Sequence, residues 1–124
     1  MPNLNNVAEL VRKIAERLKP DYEYAEEHGT IKIRSRRAPL YIEVRETGQG
    51  LTVRIGHEGL DDFLSDVVDS EEDPRGYIEE LADELSKIAH DIYLELVKRG
   101  LHVKLEARET IMDLLERLEE LEEE

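Results

Sequence analysis

The sequence predicts an α+β fold, a two-layer sandwich in which an antiparallel four-strand meander and a fifth strand carry the helices on one face. Apolar residues recur every three or four positions over residues 3–18, 59–69 and 74–99, which is the period of a helix. Between the first two segments the apolar period changes to two, which is typical of strands. We therefore expect a single α+β domain over residues 1–124.

The first predicted helix, residues 3–18, has one apolar side and one charged side and ends before Pro20. Asn6 and Glu9 have the spacing of a capping box, and Asn3 is an alternative cap.

Four short strands follow the first helix and are joined by three turns. His28 and Gly29 form the first turn, Arg37 and Ala38 form the second, and residues 47–50 form the third. The predicted strands are residues 21–26, 30–36, 39–46 and 51–56.

The turn lengths determine which residues face one another across these strands. They place Glu23 beside Arg34, Lys32 beside Glu43, and Glu43 beside Arg54 on one face. The other face is then apolar in every hairpin, and this agreement between independent turns supports the sheet. We expect the apolar face to carry the helices and the charged face to be free of them.

A short helix over residues 59–69 leads through an acidic link into the longest helix, residues 74–99. Asp73 is a suitable N-cap for the long helix, Pro74 suits its first position, and Gly100 suits its end. This helix is about 39 Å long at a rise of about 1.5 Å per residue, whereas a compact chain of this length is about 35 Å across. We therefore expect its carboxyl end to extend past the rest of the domain.

Residues 101–107 alternate between apolar and polar and predict a fifth strand, which can enter at either edge of the sheet. Thr110 and Asp113 then mark the start of a last helix with a heptad-like apolar stripe. We expect the acidic end, residues 119–124, to fray because carboxylates oppose the helix dipole there.

The composition is that of an acidic protein, with 39% charged residues and a net charge of −14. Glu occurs 22 times, Gln once and Asn three times, and this replacement of amides by ion-pairing residues predicts a thermophilic source. The net charge opposes non-specific binding to nucleic acid or to acidic membranes. The absence of cysteine excludes disulfides and cysteine nucleophiles. No charged leader precedes an apolar run, so we expect a cytoplasmic protein without a membrane span.

One face of the predicted sheet collects positive charge and an aromatic ring, which favours an anion-binding face. Strand platforms of this kind bind single-stranded nucleic acid, the first alternative function. The register weakens this alternative, because Asp21, Glu23 and Glu43 lie among five cations and leave a local excess of only two positive charges. The candidate residues are Lys32, Arg34, Arg36, Tyr41, Arg45 and Arg54.

No catalytic or metal-binding motif stands out in the chain. The four histidines are not at the spacings of zinc ligands, and the acidic stretch 58–73 lacks the glycine of an EF-hand loop. An enzyme of unknown class, with a site assembled only in three dimensions, is the second alternative. We expect no catalytic residue, cofactor or metal.

The leading hypothesis is a non-catalytic protein–protein interaction or adaptor module that self-associates. Leu94 lies on the polar side of the long helix, Tyr93 and Val97 flank its apolar stripe, and Met112 lies off the stripe of the last helix. Together with a helix longer than its domain, these four residues predict the interface of a homodimer. The same surface also suits an unidentified protein partner.

Overall fold

The computed structural model describes residues 4–123 and confirms the α+β fold, with helices on one face of a five-stranded sheet. Every predicted strand and helix is present, with ends that differ by a few residues from the sequence-based bounds. The elements in chain order are α1 Leu4–Arg17, β1 Tyr22–Glu27, β2 Thr30–Ser35, β3 Leu40–Thr47, β4 Gly50–His57, α2 Leu60–Ser70, α3 Pro74–Lys98, β5 Val103–Glu106 and α4 Arg108–Glu122.

The first four strands form the predicted antiparallel meander, and their register is the one that the turns predict. Glu23 faces Arg34, Lys32 faces Glu43, and Glu43 faces Arg54. His28 and Gly29 both have positive φ, which is the geometry of a tight two-residue hairpin turn. The hydrophobic pattern and the turn lengths were therefore sufficient to predict this part of the sheet.

The fifth strand lies parallel to β4 at the edge of the sheet, so that the strand order is β1-β2-β3-β4-β5. α2 and α3 form the connection between β4 and β5. Neighbouring parallel strands require a long crossover of this kind, because the chain must return to the same end of the sheet. Leu51 faces Val103 and Val53 faces Leu105, which continues the apolar face onto β5. The sheet thus has two edges, β1 and β5.

The helices pack on the apolar face, which we call the core face; the opposite face is the open face. α1 contacts β1 and β2, α3 contacts β3, β4 and β5, and α4 contacts α2, α3 and β4. The core between these layers includes side chains that are almost fully buried, among them Val11, Ile33, Val53, Leu85 and Ile92.

The ends of α3 are as predicted. The Asp73 side chain accepts a hydrogen bond from the Gly76 N–H at 3.1 Å, and Pro74 is the first helical residue. The capping box predicted at Asn6 is wrong, because α1 already includes Leu4 and Asn5. The alternative cap, Asn3, lies outside the described residues.

The start of α4 also differs from the prediction. The helix begins at Arg108, two residues before the predicted cap Thr110. The Thr110 hydroxyl instead donates to the Ile55 carbonyl at 2.7 Å, one residue beyond the last pairing of β4 with β5. α4 continues to Glu122, and of the predicted frayed segment Glu124 lies outside the described residues.

Candidate functional site

The open face contains all the cations of the predicted anion-binding face. They follow β2, β3 and β4 at alternate positions, as a pleated strand requires. Tyr41 lies among them, so that the predicted residues Lys32, Arg34, Arg36, Tyr41, Arg45 and Arg54 do share one surface.

The cations of β2, and Arg36 just past its end, are each paired with a carboxylate. Lys32 Nζ lies 3.3 Å from a Glu27 oxygen, and Arg34 contacts both Glu27 and, at 3.6 Å, Glu58. Arg36 pairs with Glu23 at 3.5 Å. The hydrogen bond from Lys32, with the nearby charges of Arg34 and Lys32, lowers the pKa of Glu27 and keeps it ionised.

The cations on β3 and β4 share one buried carboxylate, that of Glu43. Its Oε1 lies 3.7 Å from Arg45 Nε and 3.8 Å from Arg54 Nη1. These distances are those of ion pairs rather than hydrogen bonds, and among the described residues this oxygen accepts no hydrogen bond. The neighbouring long side chains therefore shield Glu43, although it lies on the face opposite the helices.

The aromatic ring of the open face is also engaged within the protein. Lys32 Nζ lies 4.4 Å from the centroid of the Tyr41 ring, which is a cation–π contact. The ring lies over Gly56, where an added Cβ would approach it to 2.5 Å. Tyr41 is thus positioned as a cover for the sheet rather than as a free stacking platform.

The charge on the open face is balanced. Sequence reasoning counted Asp21, Glu23 and Glu43 against five cations, and the structure adds Glu27 and Glu58. Glu27 is at the end of β1, and the chain brings Glu58 back beside β3 through a bond from its N–H to the Pro39 carbonyl, at 2.9 Å. The alternation of β1 could have identified Glu27, whereas Glu58 lies past the strand pattern.

Two of the four residues of the predicted dimer interface, Leu94 and Met112, line different grooves. Leu94, Val97 and Met112 are exposed by 40%, 42% and 51%, and Tyr93 is half-buried. Leu94 lines a groove between α3 and α1 that also includes Ile14 and Leu18.

Met112 lies beside β5 in a second groove. Ser86 and His90 of α3 line an open groove of about 540 Å³ with Leu105 and Met112. Tyr93 and Val97 follow at the next turns, since residues three and four apart share a face. Leu94 borders the same face but lines the groove toward α1. The His90 and Tyr93 rings are stacked with centroids 6.3 Å apart.

The apolar surface around β5 extends beyond the predicted residues. Several apolar side chains of β5 and of the start of α4 are half-buried, and Leu105, Ala107, Ile111 and Met112 line one groove. We call the half-buried and exposed apolar residues of β5, of the adjoining loops and of the nearby parts of α3 and α4 the β5 surface: Tyr93, Val97, Leu101, Val103, Leu105, Ala107, Ile111 and Met112. The alternation over residues 101–107 predicted the strand, but only its position at the edge exposes these side chains.

A second polar cluster joins β1 to α3 on the core face. The buried Tyr22 hydroxyl donates to Glu84 Oε1 at 2.5 Å, and Arg37 Nη2 donates to the same oxygen at 2.7 Å. Burial and the hydrogen bond to Glu84 raise the pKa of Tyr22 above its ordinary 10.0. Burial acts to raise the pKa of Glu84, but the hydrogen bonds from Tyr22 and Arg37 outweigh it and lower that pKa.

These shifts make the Tyr22 cluster a structural contact rather than acid–base machinery. A general acid or base works best with a pKa near the working pH, whereas both shifts move the pKa values further from neutrality. Tyr24 is similar, since burial and its hydrogen bond to Glu26 raise its pKa to about 12.

Within residues 4–123, no group of three or more His, Asp or Glu side chains is arranged to hold a metal ion. In the same part of the chain, no helix has both the length and the apolar character needed to cross a membrane. Comparisons with protein-family models, with curated proteins and with solved structures found no match.

Proposed function

We propose that this protein is a non-catalytic protein–protein interaction module that self-associates as a homodimer. The β5 surface is the observation that supports this function. Contiguous apolar surface of this kind is typical of interaction sites, whereas isolated exposed apolar residues are ordinary. On α3 and α4 it includes Val97 and Met112, which are 42% and 51% exposed.

The energy available from this surface suits a modest affinity. Full burial of a valine or methionine side chain contributes about 1.5 to 3 kcal/mol, so burying the exposed part of Val97 contributes about 1 kcal/mol. A two-fold axis doubles each contribution because both subunits use the same patch. Association costs offset much of the sum, and a dimer that forms at micromolar concentration is the expected result.

The other functions have weaker support. A nucleic-acid platform needs uncompensated cations and free aromatic rings. On the open face the cations of β2, β3 and β4 contact carboxylates, and Tyr41 covers Gly56 and Lys32. The polar cluster of Tyr22 with Glu84 on the core face has pKa values displaced away from neutrality.

Sedimentation velocity on a pair of matched variants tests the proposal. Val97→Glu places a charge within the β5 surface, and we expect the protein to shift toward monomer. Leu94→Glu makes the same change on the flank that faces α1, and we expect it to stay dimeric. Circular dichroism verifies that both variants keep the fold.

Two outcomes would contradict the proposal. A parent protein that sediments as a monomer at all accessible concentrations removes self-association. A dimer that is broken by Leu94→Glu and unaffected by Val97→Glu moves the interface to the α1 side of α3.

A further inference from the structure

We propose that two copies of this chain join through antiparallel pairing of their β5 strands, centred on Leu105, into one continuous ten-stranded sheet. This inference rests on the proposed self-association and specifies how it occurs. The pairing uses the outer backbone edge of β5, one register and two ion pairs. A contact made only through α3 and α4 would require none of these.

The backbone of β5 offers the first element of this pairing. The Leu51 N–H donates to the His102 carbonyl at 2.9 Å. In a parallel ladder, alternate residues point their N–H and C=O groups to opposite sides of the strand. His102 and Lys104 therefore face β4, whereas Val103 and Leu105 direct their N–H and C=O groups outward. An antiparallel partner centred on Leu105 exchanges two hydrogen bonds with Leu105 itself.

The charged side chains of β5 select this register. With Leu105 opposite its own copy, Lys104 lies opposite Glu106 of the second copy, and Glu106 opposite its Lys104. Two favourable cross-strand pairs form on the open face. Pairing centred on Lys104 would oppose two lysines, and pairing centred on Glu106 would oppose two glutamates. Only the register centred on Leu105 is self-complementary in charge.

The apolar side chains agree with the same register. On the core face Leu105 meets Leu105 of the second copy. The paired segment ends at Glu106, because Ala107 already has helical backbone angles at the start of α4. α3 lies over β5, and its flank with Tyr93 and Val97 then faces the corresponding flank across the two-fold axis. The partly exposed residues of the β5 surface are thus covered by a single contact.

The other edge of the sheet is unsuited to the same pairing. β1 contains no cation, so no register of two β1 strands forms a cross-strand ion pair. A contact centred on the outward-facing Tyr24 places Glu23 opposite Ala25, and one centred on Ala25 opposes Glu23 and Glu27 of the two copies. Like charges in cross-strand positions are destabilising. Each chain also carries a net charge of −14, so that two copies repel one another at long range. Lys104 and Glu106 make the β5 strand locally neutral, which is what close approach of two acidic chains requires.

Charge reversal at β5 tests the pairing. In a dimer of Lys104→Glu, a glutamate faces a glutamate at both cross-strand positions. In a dimer of Glu106→Lys, a lysine faces a lysine at both. We expect each variant alone to dissociate at least about tenfold more readily than the parent, because two attractive pairs become repulsive. An equimolar mixture of the two variants restores opposite charges at both positions, and we expect a heterodimer. The double variant Lys104→Glu, Glu106→Lys should again form a homodimer.

Lys98→Glu is the matched control. Lys98 is a strongly exposed lysine at the end of α3 that pairs with Glu95 at 3.6 Å, much as Lys104 pairs with Glu106 at 3.1 Å within its own strand. It lies away from the flank that faces β5, and we expect this variant to dimerise like the parent. Sedimentation velocity at micromolar concentration gives the mass of each species.

The outcomes separate this inference from the proposed function. Monomeric single variants whose mixture forms a heterodimer support the pairing. A dimeric parent whose single variants stay dimeric overturns the β5 contact and leaves self-association intact. A monomeric parent overturns both, as it would if this edge accepted a strand from a different protein.

Discussion

Replacing Tyr22 by phenylalanine isolates the bond that ties the edge strand β1 to the long helix α3. The Tyr22 side chain is 1% exposed, and phenylalanine keeps its ring and its packing. Only the hydroxyl is lost, together with its hydrogen bond of 2.5 Å to Glu84 Oε1. Arg37 keeps its own bond to that oxygen.

The expected loss follows from this geometry. A hydrogen bond to a charged group contributes about 1.5 to 3 kcal/mol to stability. The Glu84 side chain is 38% exposed, so water and Arg37 compensate for part of the lost bond. We therefore expect Tyr22→Phe to lower the free energy of unfolding by about 1 to 2 kcal/mol. Urea unfolding at neutral pH measures this value, with an unchanged dependence on denaturant concentration.

Tyr24→Phe is the matched control, because it removes a hydroxyl of the same kind on the same strand. The Tyr24 hydroxyl donates to Glu26 at 2.5 Å, but this pair is exposed to water. We expect a change within about 0.5 kcal/mol. Equal losses in the two variants would refute the reasoning that burial gives the Tyr22 bond its value.

Three further outcomes are expected. Gly50→Ala should destabilise the protein by at least about 2 kcal/mol in urea unfolding, because φ is +141° and the added Cβ would overlap the His102 carbonyl; Gly48→Ala, in the same turn with no atom within 4 Å, should change stability by less than about 1 kcal/mol. Because the pKa of Tyr22 is raised in the folded protein, its contribution to the free energy of unfolding is fully present below pH 10.0. This contribution is lost as the pH rises above that value, since the tyrosine then ionises only in the unfolded chain. Tyr22→Phe should reduce this alkaline loss of stability in unfolding measured as a function of pH. A mobility shift with short single-stranded DNA or RNA should give no complex at low or moderate salt, and a complex that weakens steeply with salt would contradict the balanced charge of the open face.

The meander was predictable from the sequence because the patterns that determine it are local. The hairpin at His28 and Gly29 and the alternation of β2 and β3 determine the register without knowledge of the rest of the chain. A slip of one residue would move Ile31 and Ile33 into water, so the pattern allows one solution. The cap of α3 at Asp73 was predictable for the same reason.

The remaining features depend on contacts between distant segments. Residues 101–107 show a strand but not which edge it joins, since either edge can bury Val103 and Leu105. α4 begins two residues before the predicted cap Thr110. The Thr110 hydroxyl instead donates to the Ile55 carbonyl, a partner 55 residues away that the local sequence does not indicate. The predicted interface residues also lie against distant segments that the local pattern does not show, since Leu94 lines a groove with Ile14 of α1 and Met112 lines a groove with Leu105 of β5.

Amide hydrogen exchange at Leu105 tests the proposed pairing most directly. In the dimer the outward Leu105 N–H is hydrogen-bonded to the second copy, so we predict protection that increases with protein concentration. The Tyr24 N–H is the reference for an unpaired edge, because the bond from the Arg36 N–H to the Asp21 carbonyl directs the odd-numbered residues of β1 toward β2 and Tyr24 outward. Exchange at Leu105 that is as fast as at Tyr24 at every concentration would contradict pairing through β5.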